Sequence, residues 1–465
     1  MKSRRYFDVV VAGAGTAGAI AAIASARSGA RTLLVEQYGY IGGLFSTGMT
    51  LLGASDGEGF KALGGIGDEV FKRLIEYDAG TITAVDTLYG SVKTHDPELA
   101  KLVLLEMARA SGVEFLLHTF IVDVIQDGRE ITGLLVANKG GLEIVGGKFF
   151  VDCTGDADIV RLGNGEFTVG RETDSLTQPV TTIFRVGGVD LNEIWKYLRE
   201  NPDELDVPET FSGTSQTLEY LQKTPGVHFD TFKKIILEAR NAGEYDIQRD
   251  GIGISTLPGR NEVTVNMTRI HSVDGLDPDA LSRAEVELQG QVLKAIEFLK
   301  NKIPGFKNSR IISIPHQVGI RETLHVKGDY KLTPDDIMNG QDFPDQVGRG
   351  AYPLDVHDIH VDSEVLGRKV SGGGVTLLKI NRSYGIPARC LVPVSFDNVT
   401  VAGRSISATH EAAGSIRGQS VCLVTGHAAG TYAALASLKN CSIRDLNISR
   451  LQQVLESQGA ILQRN

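Results

Sequence analysis

The chain has 465 residues, with 54 glycines against 14 prolines and one tryptophan, and 47 Lys+Arg against 57 Asp+Glu for a formal net charge of −10. Glycine stands well above the usual roughly 7%, yet no Gly-X-Y period runs through the chain and proline is scarce, so collagen and Pro/Gly-rich disorder are excluded. No long Lys/Arg run is present to make a nucleic-acid footprint.

Met1 to Arg5, with the basic Lys2, Arg4 and Arg5, followed by an apolar run to Ala26, has the outline of a secretory leader. Asp8 and three regularly spaced glycines interrupt that run, and a strand followed by a helix explains it better. Residues 7–12 read as a buried strand, 17–28 as an Ala-rich helix and 31–36 as a second strand. A Gly-rich loop spans 39–67. Asp96-Pro97-Glu98 opens a helix with Leu99, Leu102, Val103 and Leu105 to Met107 on its apolar face, and Gly112 ends it. Short strands fill 113–153, the last at 148–153.

After about residue 165 proline and charge increase. Strands are expected at 181–186, 262–270 and 310–314, and helices at 191–199, 229–242 and 278–300. From Cys390 the early style returns, with a strand at 398–402, a loop and a small-residue helix at 419–438. This predicts an α/β protein: a nucleotide-binding domain formed by 1–165 and 391–465, with a substrate or cap domain, 166–390, inserted between them. Cys153, Cys390, Cys422 and Cys441 form no C-x-x-C pair, which argues against a disulfide framework, a zinc site or an iron–sulfur cluster. No other stretch is expected to reach the ~20 apolar residues of a bilayer span, and a cytoplasmic location is expected.

The strongest local motif is Gly13-x-Gly15-x-x-Gly18, between the first strand and first helix. Gly13 permits the tight turn, Gly15 lets backbone approach a pyrophosphate, and Gly18 lets the helix pack on the strand. The helix start, at Thr16, faces the phosphates. Glu36 ends the second strand, where a carboxylate can accept both ribose hydroxyls and disfavours the 2′-phosphate of NADP. The fingerprint alone does not separate FAD from NAD.

Further motifs do. Gly42-Gly43 follows Glu36 in the pattern E-x-x-x-x-x-G-G. Val151-Asp152-Cys153-Thr154-Gly155-Asp156 is an apolar strand ending in Thr-Gly, and Asn398 to Gly403 is a third segment of this style. In this order they resemble the three dinucleotide motifs of FAD proteins of the glutathione-reductase fold. Ala402 to His410, Gly414 to Ser420, Val318 to Thr323, Tyr352 to His357 and Ile386 to Pro393 are similar to a family of bacterial FAD-dependent oxidoreductases near the fumarate reductase and succinate dehydrogenase flavoproteins. The resemblance runs from about residue 6 to 440. It implies FAD bound on a glutathione-reductase-like Rossmann-type domain with an inserted α+β substrate domain. It further implies Thr154, Gly155, Asp156, Gly403, Arg404 and Gly418 beside the cofactor. The implied reaction is hydride transfer between flavin N5 and a small polar metabolite, such as a carboxylate or hydroxy compound.

Fumarate reductases hold substrate with a His six residues after A-G-E and an Arg before G-G-N. His410 and Arg417 occupy similar places, so the resemblance makes His410 the acid/base and Arg417 the substrate anchor. Three departures weaken a dicarboxylate substrate: Arg404 replaces the Glu, the His–Arg spacing is seven rather than four, and Gln419 replaces the Asn. His is the side chain most easily poised near neutral pH, and Arg grips carboxylates bidentately. Arg321, beside Glu322, is a further candidate, with an ordinary ion pair as its alternative. Leu324 and His325 stand where the family pattern continues with arginines. His357 and His360 lie on what reads as a strand with a polar face rather than a metal site. Gly372-Gly373-Gly374 makes no second nucleotide site, so electrons must pass to the substrate, to oxygen or to a separate partner. An NAD-dependent dehydrogenase, a non-catalytic flavin-holding subunit and a non-redox flavin enzyme are the competing readings, and an oligomer is possible.

Overall fold

The computed structural model describes residues 5–205, 216–257, 259–357, 364–365, 368–369 and 375–464, with backbone alone at 364–365, 368–369 and 375. The candidate positions His360 and Gly372 to Gly374 lie outside the described residues, as do Met1 to Arg4. Strand β1 (Arg5–Ala12) is followed by helix α1 (Thr16–Arg27) and strand β2 (Thr32–Val35). Val9 to Ala12 of β1 and Leu33 to Val35 of β2 are continuous buried apolar runs because both faces of a parallel sheet are covered there. α1 has no apolar stripe: Thr16 through Ser25 are all buried, as a small-residue helix must be when packed on every side. Helix α2 (Pro97–Ala110) starts where expected, because the Asp96 carboxylate accepts the N–H of Glu98 at 2.7 Å and of Leu99 at 3.2 Å.

Strands β3 (Glu114–Leu116), β4 (Phe120–Asp127), β5 (Glu130–Asn138) and β6 (Gly141–Asp152) complete this part, in the order β3-β2-β1-β6-β5-β4. β3, β2, β1 and β6 run parallel, while β5 and β4 add antiparallel. The final strand is longer than the expected 148–153 because its first half pairs with β5.

The intervening segment builds a separate antiparallel sheet. It contains strand β7 (Phe184–Gly187), helix α3 (Leu191–Glu200), strand β8 (His228–Thr231), helix α4 (Lys233–Asn241), strands β9 (Ile252–Thr256) and β10 (Glu262–Asn266), helix α5 (Pro278–Lys302) and strand β11 (Arg310–Ser313). The sheet order is β8-β9-β10-β7-β11. Its core includes Phe184, Ile194, Phe229, Ile254, Val265 and Leu299, distinct from the core beneath β1. The helix expected over 229–242 is divided: β8 pairs with β9, and Phe232, at φ 64°, turns the chain into α4. From Leu324 onward the chain packs again on the first core, with Val347, Leu354, Tyr384 and Leu391 among the buried residues there.

Strand β12 (Leu354–His357) precedes the return strand β13 (Val399–Val401), which pairs in parallel with β6, Val401 opposite Asp152. Helix α6 (His410–Ile416), unanticipated in the sequence, leads into helix α7 (Gln419–Lys439). α7 crosses α1 at backbone contact: a Cβ at Gly426 would lie 2.2 Å from the Ala17 carbonyl oxygen, and one at Gly430 2.1 Å from that of Ala21. Contrary to the expectation of no further spanning-length stretch, α7 (21 residues, mean hydropathy 1.3) is long and apolar enough to cross a bilayer; 89% of that stretch is buried inside the fold.

Candidate active site

Register places the site. Ala12 lies opposite both Val35 and Asp152, and Asp152 is opposite Val401, so four parallel strands end at one level. The residues that follow them form one row: Gly13, Glu36, Cys153-Thr154 and Ala402-Gly403. Ligands of open parallel sheets bind outside the carboxyl ends of the strands, and here a cleft opens above the row. Gly13, Gly15, Thr16, Glu36, Gly43, Thr154, Gly155, Asp156, Gly403, Arg404, Arg417 and Gly418 line it, as does Arg321. Gly18 and Gly42 stand behind it: a Cβ on Gly18 would meet the Gly13 carbonyl at 1.8 Å, and the Gly42 N–H donates to the Ala14 carbonyl at 2.7 Å.

Gly15 tests whether a dinucleotide fits. Its φ of −65° and ψ of −165° suit any residue, no side chain caps α1 there, and a Cβ would meet nothing within 4 Å. No packing contact therefore requires glycine here. The uncapped N–H groups of α1 face the cleft, with no acidic residue in the first turn to occupy them. Backbone donors plus the helix dipole fit a pyrophosphate, and a glycine there lets it come close. The Glu36 carboxylate accepts the N–H of Ala14 at 2.6 Å and of Tyr38 at 2.9 Å. It braces the glycine loop while keeping acceptor capacity toward the cleft. Burial raises its pKa against these hydrogen bonds.

The strand ends are tied together across the chain. Thr16 donates its hydroxyl to Gln419 Oε1 at 2.5 Å, joining α1 to α7. Arg404 donates to Asp156 Oδ1 at 2.5 Å, and the Thr323 hydroxyl donates to the same oxygen at 2.8 Å. Asp156 thus links the ends of β6 and β13 to the segment returning from the inserted sheet.

The inner end of the cleft is polar. Arg417, the C-cap of α6, donates to the Asp355 carbonyl at 2.6 Å and to Asp355 Oδ2 at 3.0 Å. Asp355 also accepts from the Tyr352 hydroxyl at 2.7 Å and lies 3.3 Å from His357 Nε2. Although burial opposes ionisation, His357 and Arg417 hold the Asp355 carboxyl well below the usual range. Burial, followed by the charge of Arg321, pushes the His357 imidazole well down. Arg321 donates to the Pro179 carbonyl at 2.6 Å.

The inserted sheet supplies the opposite wall. Ser255 Oγ lies 2.9 Å from His228 Nδ1, and His228 Nε2 lies 3.5 Å from Asp230 Oδ2. Burial lowers the His228 pKa, but Asp230 outweighs it, and the net shift is upward. Arg249 reaches Asp230 at 3.5 Å. Ser255, His228 and Arg249 all line the cleft. Sequence reading passed over these three residues: they belong to no local motif, and only the pairing of β8 with β9 brings Ser255 to His228.

His410 stands elsewhere. It is not among the residues lining the cleft. Its Nδ1 lies 2.9 Å from the Glu322 carboxylate, which also meets His325 Nε2 at 3.1 Å and accepts the Gln178 N–H at 3.1 Å. Burial raises the Glu322 pKa, but the two histidines overcome it and hold the carboxyl at about 2. Among the described residues no group of three His, Cys, Asp or Glu side chains is placed to hold a metal ion.

A glycine-edged row over parallel strand ends, a bare helix N-terminus and a braced acid define a dinucleotide-binding protein. Residues 8–455 match the FAD dependent oxidoreductase family, and the chain belongs to it. It is an FAD-dependent oxidoreductase. No curated protein sequence matches it. Among solved structures it is similar to a geranylgeranyl bacteriochlorophyll reductase-like protein from Thermoplasma acidophilum, at 12% identity over 98% of this chain and 83% of that one, TM-score 0.42. It is also similar to a myxobacterial chondrochloren halogenase, at 12% identity over 97% and 78%, TM-score 0.44. A third is p-nitrophenol 4-monooxygenase from Pseudomonas putida DLL-E4, at 13% identity over 97% and 84%, TM-score 0.43.

Proposed function

We propose that this enzyme exchanges a hydride between a small polar metabolite and flavin N5, on a glutathione-reductase-like scaffold whose inserted sheet covers the substrate. The observation that carries the reading is the continuity of the cleft. It runs from the glycine row and Glu36 to an inner chamber walled by Arg417, Arg321, His357, His228 and Ser255. FAD supplies the two-electron chemistry when bound, and the protein supplies placement and proton handling. Gly13, Gly15 and the start of α1 would hold the pyrophosphate, Glu36 the adenosine ribose, and the Thr154–Asp156 and Gly403–Gly418 turns the remainder.

In the oxidation direction, with bound FAD as the hydride acceptor, Ser255 Oγ would take the substrate's hydroxyl proton. Ser255 hands its own proton to His228 Nδ1, and the imidazolium faces Asp230. Arg417 and Arg321 anchor the substrate. His410 is a positioning residue: through Glu322 it fixes the backbone beside Arg321. The four cysteines are free thiols, three of them buried, which suits a cytoplasmic protein.

The test is anaerobic mixing of the flavin-loaded protein with hydroxy acids, sugars and amines while the flavin's visible band is followed. Wild type bleaches with its substrate, whereas Arg417→Ala and Arg321→Ala retain flavin and lose bleaching. If both variants bleach at the wild-type rate, the anchoring roles are wrong.

A further inference from the structure

Guanidinium groups from three separate stretches of chain line the cleft, and a fourth, that of Arg269, stands beside His357. Arg417 ends α6, Arg321 lies in the segment after β11, Arg249 precedes β9, and Arg269 follows β10 and approaches His357 Nδ1 at 3.1 Å. Burial, then Arg417 and Arg269, hold the Arg321 pKa well below its ordinary value; burial and Arg249 bring that of Arg269 to about 10. Arg321 and Arg269 thus feel neighbouring cations, whereas Asp355 outweighs burial at Arg417 and raises its pKa.

The carboxylates nearest Arg417 and Arg249 are already engaged, and among the described residues Arg321 has none. Asp355 is taken by Arg417, Tyr352 and His357. Asp230 faces His228 and meets Arg249 only at 3.5 Å, and the buried Asp86 also acts on His228. Arg321, 8% exposed, donates to a neutral carbonyl, and among the described residues it meets no carboxylate within ion-pair distance. A buried guanidinium without a counter-charge is strongly unfavourable. Here it sits in an otherwise acidic protein of net charge −10. Such a pocket draws small anions toward itself, and the planar guanidinium fork matches a carboxylate or phosphate edge.

We propose that the substrate is a small dianion, its negative charge gripped from one side by Arg321 and Arg417 and from the other by Arg249. This deepens the oxidoreductase reading and rests on it for the placement of the reacting carbon. The inserted sheet is then more than a cover, because Arg249 sets the charge the substrate must carry.

The experiment is calorimetric titration of the holoenzyme with succinate and its monoamide succinamate, and with glycerol 3-phosphate and glycerol, after the flavin content has been measured. Succinate or glycerol 3-phosphate should bind at least tenfold tighter than its less charged partner, and the tighter of the two arms tells a dicarboxylate from a phosphate. Arg249→Gln should remove most of that preference and Arg249→Lys should restore part of it, both with wild-type flavin content. Arg321→Gln, which also relieves a buried charge, should lose dianion affinity while its melting temperature holds or rises. Equal binding of charged and less charged partners, or an unchanged preference in Arg249→Gln, overturns the proposal. A protein with no flavin and no affinity for added FAD would instead refute the oxidoreductase reading, and the dianion preference would still be measurable by the same titration.

Discussion

Two glycines three residues apart separate a ligand effect from a packing effect. Gly15→Ala places a methyl where nothing lies within 4 Å, at a φ of −65° that alanine adopts freely. The entropic gain of about 0.4–1 kcal/mol from stiffening the unfolded chain is offset by the poorer N-cap, about 0.5–1 kcal/mol. The apoprotein should therefore keep its stability to within about 1 kcal/mol. The methyl projects into the cleft at the bare end of α1, where backbone donors and helix dipole meet the pyrophosphate. Displacing it forfeits at least two charge-assisted hydrogen bonds, at roughly 1.5–3 kcal/mol each, so FAD affinity should fall by a factor of about 100 or more. Gly18→Ala forces a methyl to 1.8 Å from the Gly13 carbonyl oxygen and should destabilise the apoprotein as well. Urea unfolding of flavin-stripped protein and quenching of FAD fluorescence measure the two effects separately. If Gly15→Ala binds FAD as tightly as wild type, or loses affinity only in step with stability, the placement of the pyrophosphate is wrong.

Three further outcomes are expected. Glu322 titrates at about 2 when folded against 4.5 in the free side chain. Folding thus weakens proton binding, and stability of about 3 kcal/mol, present above pH 4.5, is lost as pH falls toward 2. Urea unfolding across that range should show this acid limb in wild type but not in Glu322→Gln, which should also be less stable at neutral pH. His228→Gln should slow flavin reduction by about 10²–10⁴. Because Asp230 raises the His228 pKa and the base form takes the proton, the rate should climb with pH through a value above 6.5 in wild type, a limb absent from the variant when measured by stopped flow. Gly426→Val, pressed on the Ala17 carbonyl, should cost about 3 kcal/mol by thermal or urea unfolding.

Local pattern made much of the first domain readable. β1, α1 and β2 are specified by apolar runs and glycine spacing within thirty-odd residues, and α2 by its Asp-Pro-Glu start. α6 was not readable, because His410 to Ile416 is short, small and without an apolar stripe. The helix read over 229–242 failed at its front end because HFDT finds strand partners in β9 that the local sequence does not reveal. The dinucleotide end of the cleft was legible because it is built from turns adjoining the motif strands. The chamber was legible only in part: Arg417, Arg321 and His357 stand in stretches the sequence singled out, whereas Ser255, His228 and Arg249 join them only where distant segments meet. Arg249 and His228 carry no motif, and His410, in the motif position, is drawn to a buried carboxylate 88 residues earlier in the chain. Part of the glycine excess has a physical origin in the structure: positive φ at turns such as Gly13 and Gly403, and helix-on-helix contact at Gly426 and Gly430.

The most direct test of the hydride-exchange assignment is anaerobic stopped-flow mixing of the flavin-loaded enzyme with small anionic hydroxy acids and related metabolites. The expected result is a saturable two-electron bleaching of the flavin band by at least one of them, abolished in Arg417→Ala. A flavin that can be photoreduced, yet stays oxidised with every metabolite offered, would contradict it.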